Sequence, residues 1–188
     1  MPPHDLPITA VLRYYGLMHE ELVFTQPAQF VLYGDGLPDP GEVPVVAGNG
    51  LVEVRRGAVM IFTGAQYKQV HVSVETLDEA PALPGSDWTE VVEVSFTVRN
   101  GVLRIGGVDL GPKGSSPNFA ISDVDEYRVR FSARGRDDAW NYAEHGSEDE
   151  EESPILEYHL IEIWPAPPAP PQALRLTDRT GTSYRTGG

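Results

Sequence analysis

Three groups of side chains in this 188-residue sequence could act chemically: five histidines, an excess of carboxylates, and aromatics set among charges. The histidines are His4, His19, His71, His145 and His159. No two have the i, i+4 spacing that aligns imidazoles on a helix, or the i, i+2 spacing that aligns them on a strand. They read as hydrogen-bonded or solvent-facing residues, and no metal site is assigned. "GDGLPDPGE" (34–42) offers Asp35, Asp39 and Glu42, oxygen donors of the kind calcium takes. The order departs from the calcium loop D-x-[DN]-x-[DN]-G, and Pro38 and Pro40 account for the segment as turns. "GGVDLGPKGSSPNFAISD" (106–123) holds neither a phosphate-cradling G-x-x-x-x-G-K-[ST] loop nor a G-x-S-x-G elbow, and no base is evident for its serines. Nothing selects one acid–base pair among 28 carboxylates. The sequence assigns no catalytic residue and no cofactor.

One constellation stands out, "RFSARGRDDAWNYAEHGSEDEEESPILEYHLIEIWP" (130–165). Two strand-like runs flank a connection of about twenty residues, far longer than a usual hairpin loop. Its first half carries Arg134, Arg136, Trp140 and Tyr142. Its second half carries the uninterrupted acids Glu148, Asp149, Glu150, Glu151 and Glu152. Large aromatics can anchor a protein partner, and dense acids steer a basic one. These seven residues, the two aromatics and five acids, form the candidate partner-binding set. The competing account is a solvated loop, with Arg134 and Arg136 as its own counter-ions.

Charge sets the choice of partner. The chain has 28 acids against 14 bases, a net charge of −14, and discounting the six acids from Glu144 to Glu152 still leaves −8. Such a field repels nucleic acid and anionic membranes and attracts basic proteins. Direct nucleic-acid binding is not expected; a basic protein partner is. The absence of cysteine removes disulfides and thiolate chemistry. The N-terminus lacks a signal-peptide pattern, and no run approaches the ~18 apolar residues that span a bilayer. A cytoplasmic, membrane-free protein is the expectation.

The elements that must position these residues read as strands. Val70, Val72 and Val74 alternate with polar residues in 68–77, as do Val92, Val94, Phe96 and Val98 in 89–101. Tyr127, Val129, Phe131 and Ala133 do the same in 126–135. Segments 8–16, 29–34, 51–57 and 58–64 are rich in β-branched and aromatic residues and end at glycine. Asn100-Gly101 predicts a two-residue hairpin within 98–107. The run 155–164 fits a strand buried on both sides or a short helix, and its confinement between Pro154 and Pro165 favours the strand. No window is convincingly helical, the best being 15–24. The prediction is an all-β fold, an antiparallel β-sandwich or jelly roll with long loops. One domain would span 1–165, followed by a Pro-rich extended tail at 166–188, whose Leu174 and Leu176 offer an alternating pair for packing.

"DEYRVRFSARGRDDAW", the acidic loop and "EYHLIEIWPAPP" together resemble the ending of uncharacterised bacterial β-sandwich proteins and of the competence-associated nuclease inhibitor family. The resemblance covers about forty residues, Asp125 to Pro165. It implies a small all-β cytosolic protein that binds and restrains a partner, such as a nuclease or toxin, in the manner of an immunity protein. The loop here is longer and more acidic than the family's pattern, so no inhibitor motif is carried over residue by residue. Two other classes stay open. A jelly-roll ligand-binding domain or enzyme would gather Tyr14, Tyr15, Trp88 or Tyr127 around a pocket. A structural component of a larger assembly would use the proline tail as its docking strand.

Overall fold

The computed structural model describes residues 18–35, 48–108, 111–112, 116–145 and 153–187. Among these residues, eleven strands form two sheets. They are β1 (Met18–Phe24), β2 (Gln29–Tyr33), β3 (Val52–Arg55), β4 (Ala58–Phe62), β5 (Gln69–Thr76), β6 (Glu90–Thr97), β7 (Arg104–Gly107), β8 (Gly111–Pro112), β9 (Glu126–Arg134), β10 (Tyr158–Pro165) and β11 (Gln172–Leu176). Helices α1 (Arg136–His145) and α2 (Arg179–Thr186) accompany them. The six-stranded sheet runs β1-β5-β10-β9-β6-β11 and the five-stranded sheet β3-β4-β2-β7-β8. All pairs are antiparallel except β5 with β10, which run parallel with Tyr158 opposite His71.

Period-two alternation builds the core. One buried cluster takes Val70, Val72, Val74, Val92, Val94, Val129, Phe131, Ile161 and Ile163 from the larger sheet and Phe30, Leu32, Val59, Ile61 and Ile105 from the smaller. Burying each large apolar side chain stabilises the sandwich by roughly 1.5–3 kcal/mol. The predicted all-β sandwich is therefore the fold. On the other face of the smaller sheet, Val31, Tyr33, Ala58 and Met60 form a second, small cluster.

Residues 18–24 are an edge strand, with Met18, Glu20, Leu22 and Phe24 turned out, so the described part of 15–24 is not helical. Three local expectations are corrected. Asn100-Gly101 does not close a hairpin, because β6 and β7 belong to different sheets. Gly101 has the φ of +66° that such a turn needs, but the Asn100 side chain accepts from Val102 N–H and turns the chain toward the other sheet. The long connection after β9 is not all loop, since its first ten residues are α1. The segment after Pro165 is not merely extended: β11 pairs with β6 and α2 follows. Leu176 packs on the core, whereas Leu174 falls at the register shift between Ala173 and Arg175 and stays exposed. The predicted strand at 8–16 lies outside the described residues.

Candidate functional site

The two helices meet over a charged cluster. Gly135 has φ +78°, and a Cβ there would come within 2.0 Å of the Leu156 carbonyl oxygen, so only glycine lets β9 turn into α1. Asp137 and Asp138 then occupy the first turn, where the helix dipole favours acids. Arg136 is fully buried. Its Nη2 donates to the Gly50 carbonyl (2.8 Å), its Nη1 lies 3.4 Å from Asp178 Oδ2, and its guanidinium covers the Tyr184 ring at 5.7 Å.

Asp178 caps α2 by accepting from Gly181 N–H (2.6 Å), and Gly187, at φ +74°, closes the other end with its N–H on Ser183 O. The Asp178 N–H in turn donates to Glu90 Oε1 (2.9 Å), whose other oxygen takes Arg185 Nη1 (2.9 Å). Burial pushes both the Glu90 and Asp178 carboxyls above the ordinary range; the Glu90–Asp178 repulsion adds to the rise at Glu90, and Arg136 opposes it at both. Asp137 moves the other way. Burial works against its charge, but hydrogen bonds from Thr180 and Arg179 hold it below the usual carboxylate value. The arrangement clamps the C-terminal helix to the sandwich.

This geometry sorts the predicted partner-binding residues. Residues two apart on a helix are rotated by about 200°, so Trp140 and Tyr142 part company. Trp140 sets its edge against Tyr184 (6.5 Å, 89°) and lines a small cleft of about 240 Å³ with Asp137, Asn141, Glu144, Arg179 and Ser183. Tyr142 lies beneath Lys68, whose Nζ is 5.8 Å from the ring centroid and donates to Ser153 Oγ (2.7 Å). Glu148, Asp149, Glu150, Glu151 and Glu152 lie outside the described residues. Arg134 pairs with Asp87 (2.9 Å) and Arg136 with Asp178.

The remaining predicted residues take structural positions. Tyr127 is buried, its hydroxyl donating to the Val124 carbonyl and accepting from Ile121 N–H, and Trp88 lies against Arg134. Tyr14 and Tyr15 lie outside the described residues, as do Asp39 and Glu42. Asp35 uses its carboxylate on the N–H groups of Arg99 and Asn100. His71 and His159 sit on opposite faces of the larger sheet: His71 stacks with Tyr158 on the outside, and His159 is buried against Phe30. His159 Nε2 is 2.7 Å from Glu157 Oε1, and Glu157 Oε2 accepts from the N–H groups of Gly64 and Ala65. Among the described residues no three His, Asp or Glu gather as a metal-binding group, and no helix is long and apolar enough to cross a membrane.

Two charged sets escaped the sequence reading. Glu90 shares the parity of Val92 and Val94, and Glu157 that of Ile161, so core-face acids inside alternating runs are the signal that finds them. On the outer face, Arg128, Arg130, Glu93 and Glu162 form a buried ladder. Residues 81–82 and 169–170 cover it, the Ala169 and Pro170 carbonyls accepting from Arg128 and those of Pro81 and Ala82 from Arg130. The proline cluster thus braces the sheet. Burial raises the Glu162 carboxyl above its ordinary value; Arg130 opposes the rise, while Glu75 and Glu93 add to it.

No family model and no curated protein matches this sequence. Two solved structures share its fold. One is ComJ of Bacillus subtilis, described as an inhibitor of the DNA-degrading activity of NucA, with a TM-score of 0.53 and 12% identity over 81% of this chain and 98% of that one. The other is the product of crocagin biosynthetic gene J, with a TM-score of 0.50 and 12% identity over 81% and 99% of the two chains. The likeness read from Asp125 to Pro165 therefore extends, as a likeness of fold, over four-fifths of the chain.

Proposed function

We propose that this chain is a non-catalytic binding protein that occludes a basic protein partner, of the nuclease-inhibitor or immunity type. The observation that carries the reading is a sandwich like that of a nuclease inhibitor bearing a net charge of −14. Nucleases that grip phosphates are commonly basic, and an acidic inhibitor attracts them at long range. In this reading Glu148–Glu152 steer the partner, and Tyr142 and Trp140 contribute aromatic contacts on either side of α1. The partner, not the chain, touches nucleic acid, and the chain acts in the cytoplasm.

The test is a DNA-degradation assay with NucA and a panel of other basic, non-specific nucleases, titrated with the purified full chain. Stoichiometric inhibition that weakens with added salt supports the proposal. Undiminished degradation by every nuclease at several-fold excess of the chain rejects it.

A further inference from the structure

Exposed apolar side chains are concentrated at one edge of the larger sheet. Leu22, Phe24 and Tyr67 line a groove of about 540 Å³ with Lys68, Ser153 and Ile155, and Met18 continues the row along the same face of β1. Met18 and Tyr67 are each 57% exposed, Leu22 40% and Phe24 37%. These are four of the seven large apolar residues most exposed among the described ones. An apolar row on an edge strand is prone to association, and contiguous exposed apolar patches of this kind mark interaction sites. Among the described residues, β1 pairs with β5 alone.

Tyr67 adds an independent sign. Its φ is +51°, a left-handed conformation that a bulky residue adopts at a cost, held by its N–H on the Pro27 carbonyl (2.9 Å). Glycine would sit there without strain, yet the position displays an exposed aromatic ring. Strained backbone positions cluster at functional sites, and tyrosine is enriched among the residues that carry binding energy at interfaces.

Charge selects the occupant. A second copy would bring −14 against −14, and nucleic acid is repelled in the same way. Exposed Glu20 lies on the same face, with Glu75 opposite Met18 in the neighbouring strand. Ser153, in the groove wall, directly follows the five-acid run in sequence. The cation of the groove, Lys68, is engaged by Ser153 and Tyr142. We propose that this groove is the anchoring surface for a basic protein partner and receives an apolar side chain flanked by lysine or arginine. The proposal rests on the inhibitor reading above and names the surface that reading lacks.

The experiment measures affinity for the nuclease panel by calorimetry, using the full chain. The variants are Leu22→Ser with Phe24→Ser, Tyr67→Gly, the control Leu83→Ser, and the five acids 148–152 replaced by Ser or Asn. The double variant is expected to lose about thirtyfold in affinity with its salt dependence unchanged. Tyr67→Gly is expected to lose about tenfold while its Tm holds or rises, a split that no purely structural role produces. Leu83→Ser is expected to bind as the parent does. Should the double variant misfold, Tyr67→Gly decides the question. Groove variants that bind like the parent while the five-acid variant weakens would overturn the groove and leave the inhibitor reading intact. A dimer dissolved by the double substitution would assign the groove to a second copy and overturn the proposal. No binding to any nuclease would reject the inhibitor reading and this proposal with it.

Discussion

At the level of single residues, the clamp between sandwich and C-terminal helix depends on Arg136, Glu90 and Asp178, none of them exposed to solvent. A buried ion pair adds little over an apolar packing, but removing one partner leaves the other charge uncompensated. Arg136→Met should therefore lower the unfolding free energy by about 3–5 kcal/mol in urea titrations. A loss below ~1 kcal/mol would show that the pair is not desolvated in solution. Glu90 and Asp178 have carboxyls raised by burial, so the folded state holds their protons at pH values where the unfolded chain, near 4.5 and 3.8, has released them. Their contribution to stability is greatest below those unfolded values and declines as pH rises through the higher folded ones. Glu90→Gln keeps an acceptor for the Asp178 N–H and removes one titration. The stability difference, parent minus Glu90→Gln, should fall as pH rises from about 4 to 7. A difference that stays constant or grows with pH would contradict the burial argument. Asp137 contributes with the opposite sign, its stabilisation being complete above the unfolded value and lost in acid as pH falls through the depressed folded one.

At the level of elements, strands were legible wherever one face was apolar, because period-two alternation is local. Val70, Val72 and Val74 announced β5, and Val129 and Phe131 announced β9. The same rule failed at β1, whose outward residues include Met18, Leu22 and Phe24, so its two faces carry no hydropathy contrast. Helix α1 was missed because charged and polar residues outnumber its few apolar ones, Ala139, Trp140, Tyr142 and Ala143, and only Asp137 and Asp138 in the first turn betray it. The cap residues Asp178 and Gly187 bracket α2 just as plainly in hindsight. What the sequence could not display was cover: Arg128 and Arg130 alternate with apolar residues like solvent-facing side chains. Carbonyls at 81–82 and 169–170, remote in sequence, bury them. For the site, the aromatic pair was legible as composition, but a helical period placed Trp140 and Tyr142 on different surfaces. Deleting 172–188 removes β11 and α2, strips Arg136 of Asp178, and strips Glu90 of Arg185 and the Asp178 N–H. The truncated chain should lose at least about 3–5 kcal/mol, enough to bring a typical domain near unfolding at 37 °C. Retention of the parental near-ultraviolet circular dichroism and Tm would show that the C-terminal elements are accessories.

For the whole molecule, the proposed function gives the apolar groove at the β1 edge and the net charge of −14 complementary parts: the charge would draw in a basic partner, and the groove would hold it. Steering by exposed acids is screened within a Debye length of about 8 Å at physiological salt, whereas apolar anchoring is not. The two contributions therefore separate with ionic strength. The most direct measurement is the association rate of the parent chain and of the variant with residues 148–152 neutralised, against an inhibited basic nuclease, from low to high salt. The account predicts that the parent associates at least about tenfold faster at low salt than at high, and that the variant loses most of that difference. Equal rates at all salt concentrations, or identical behaviour of parent and variant, would contradict it.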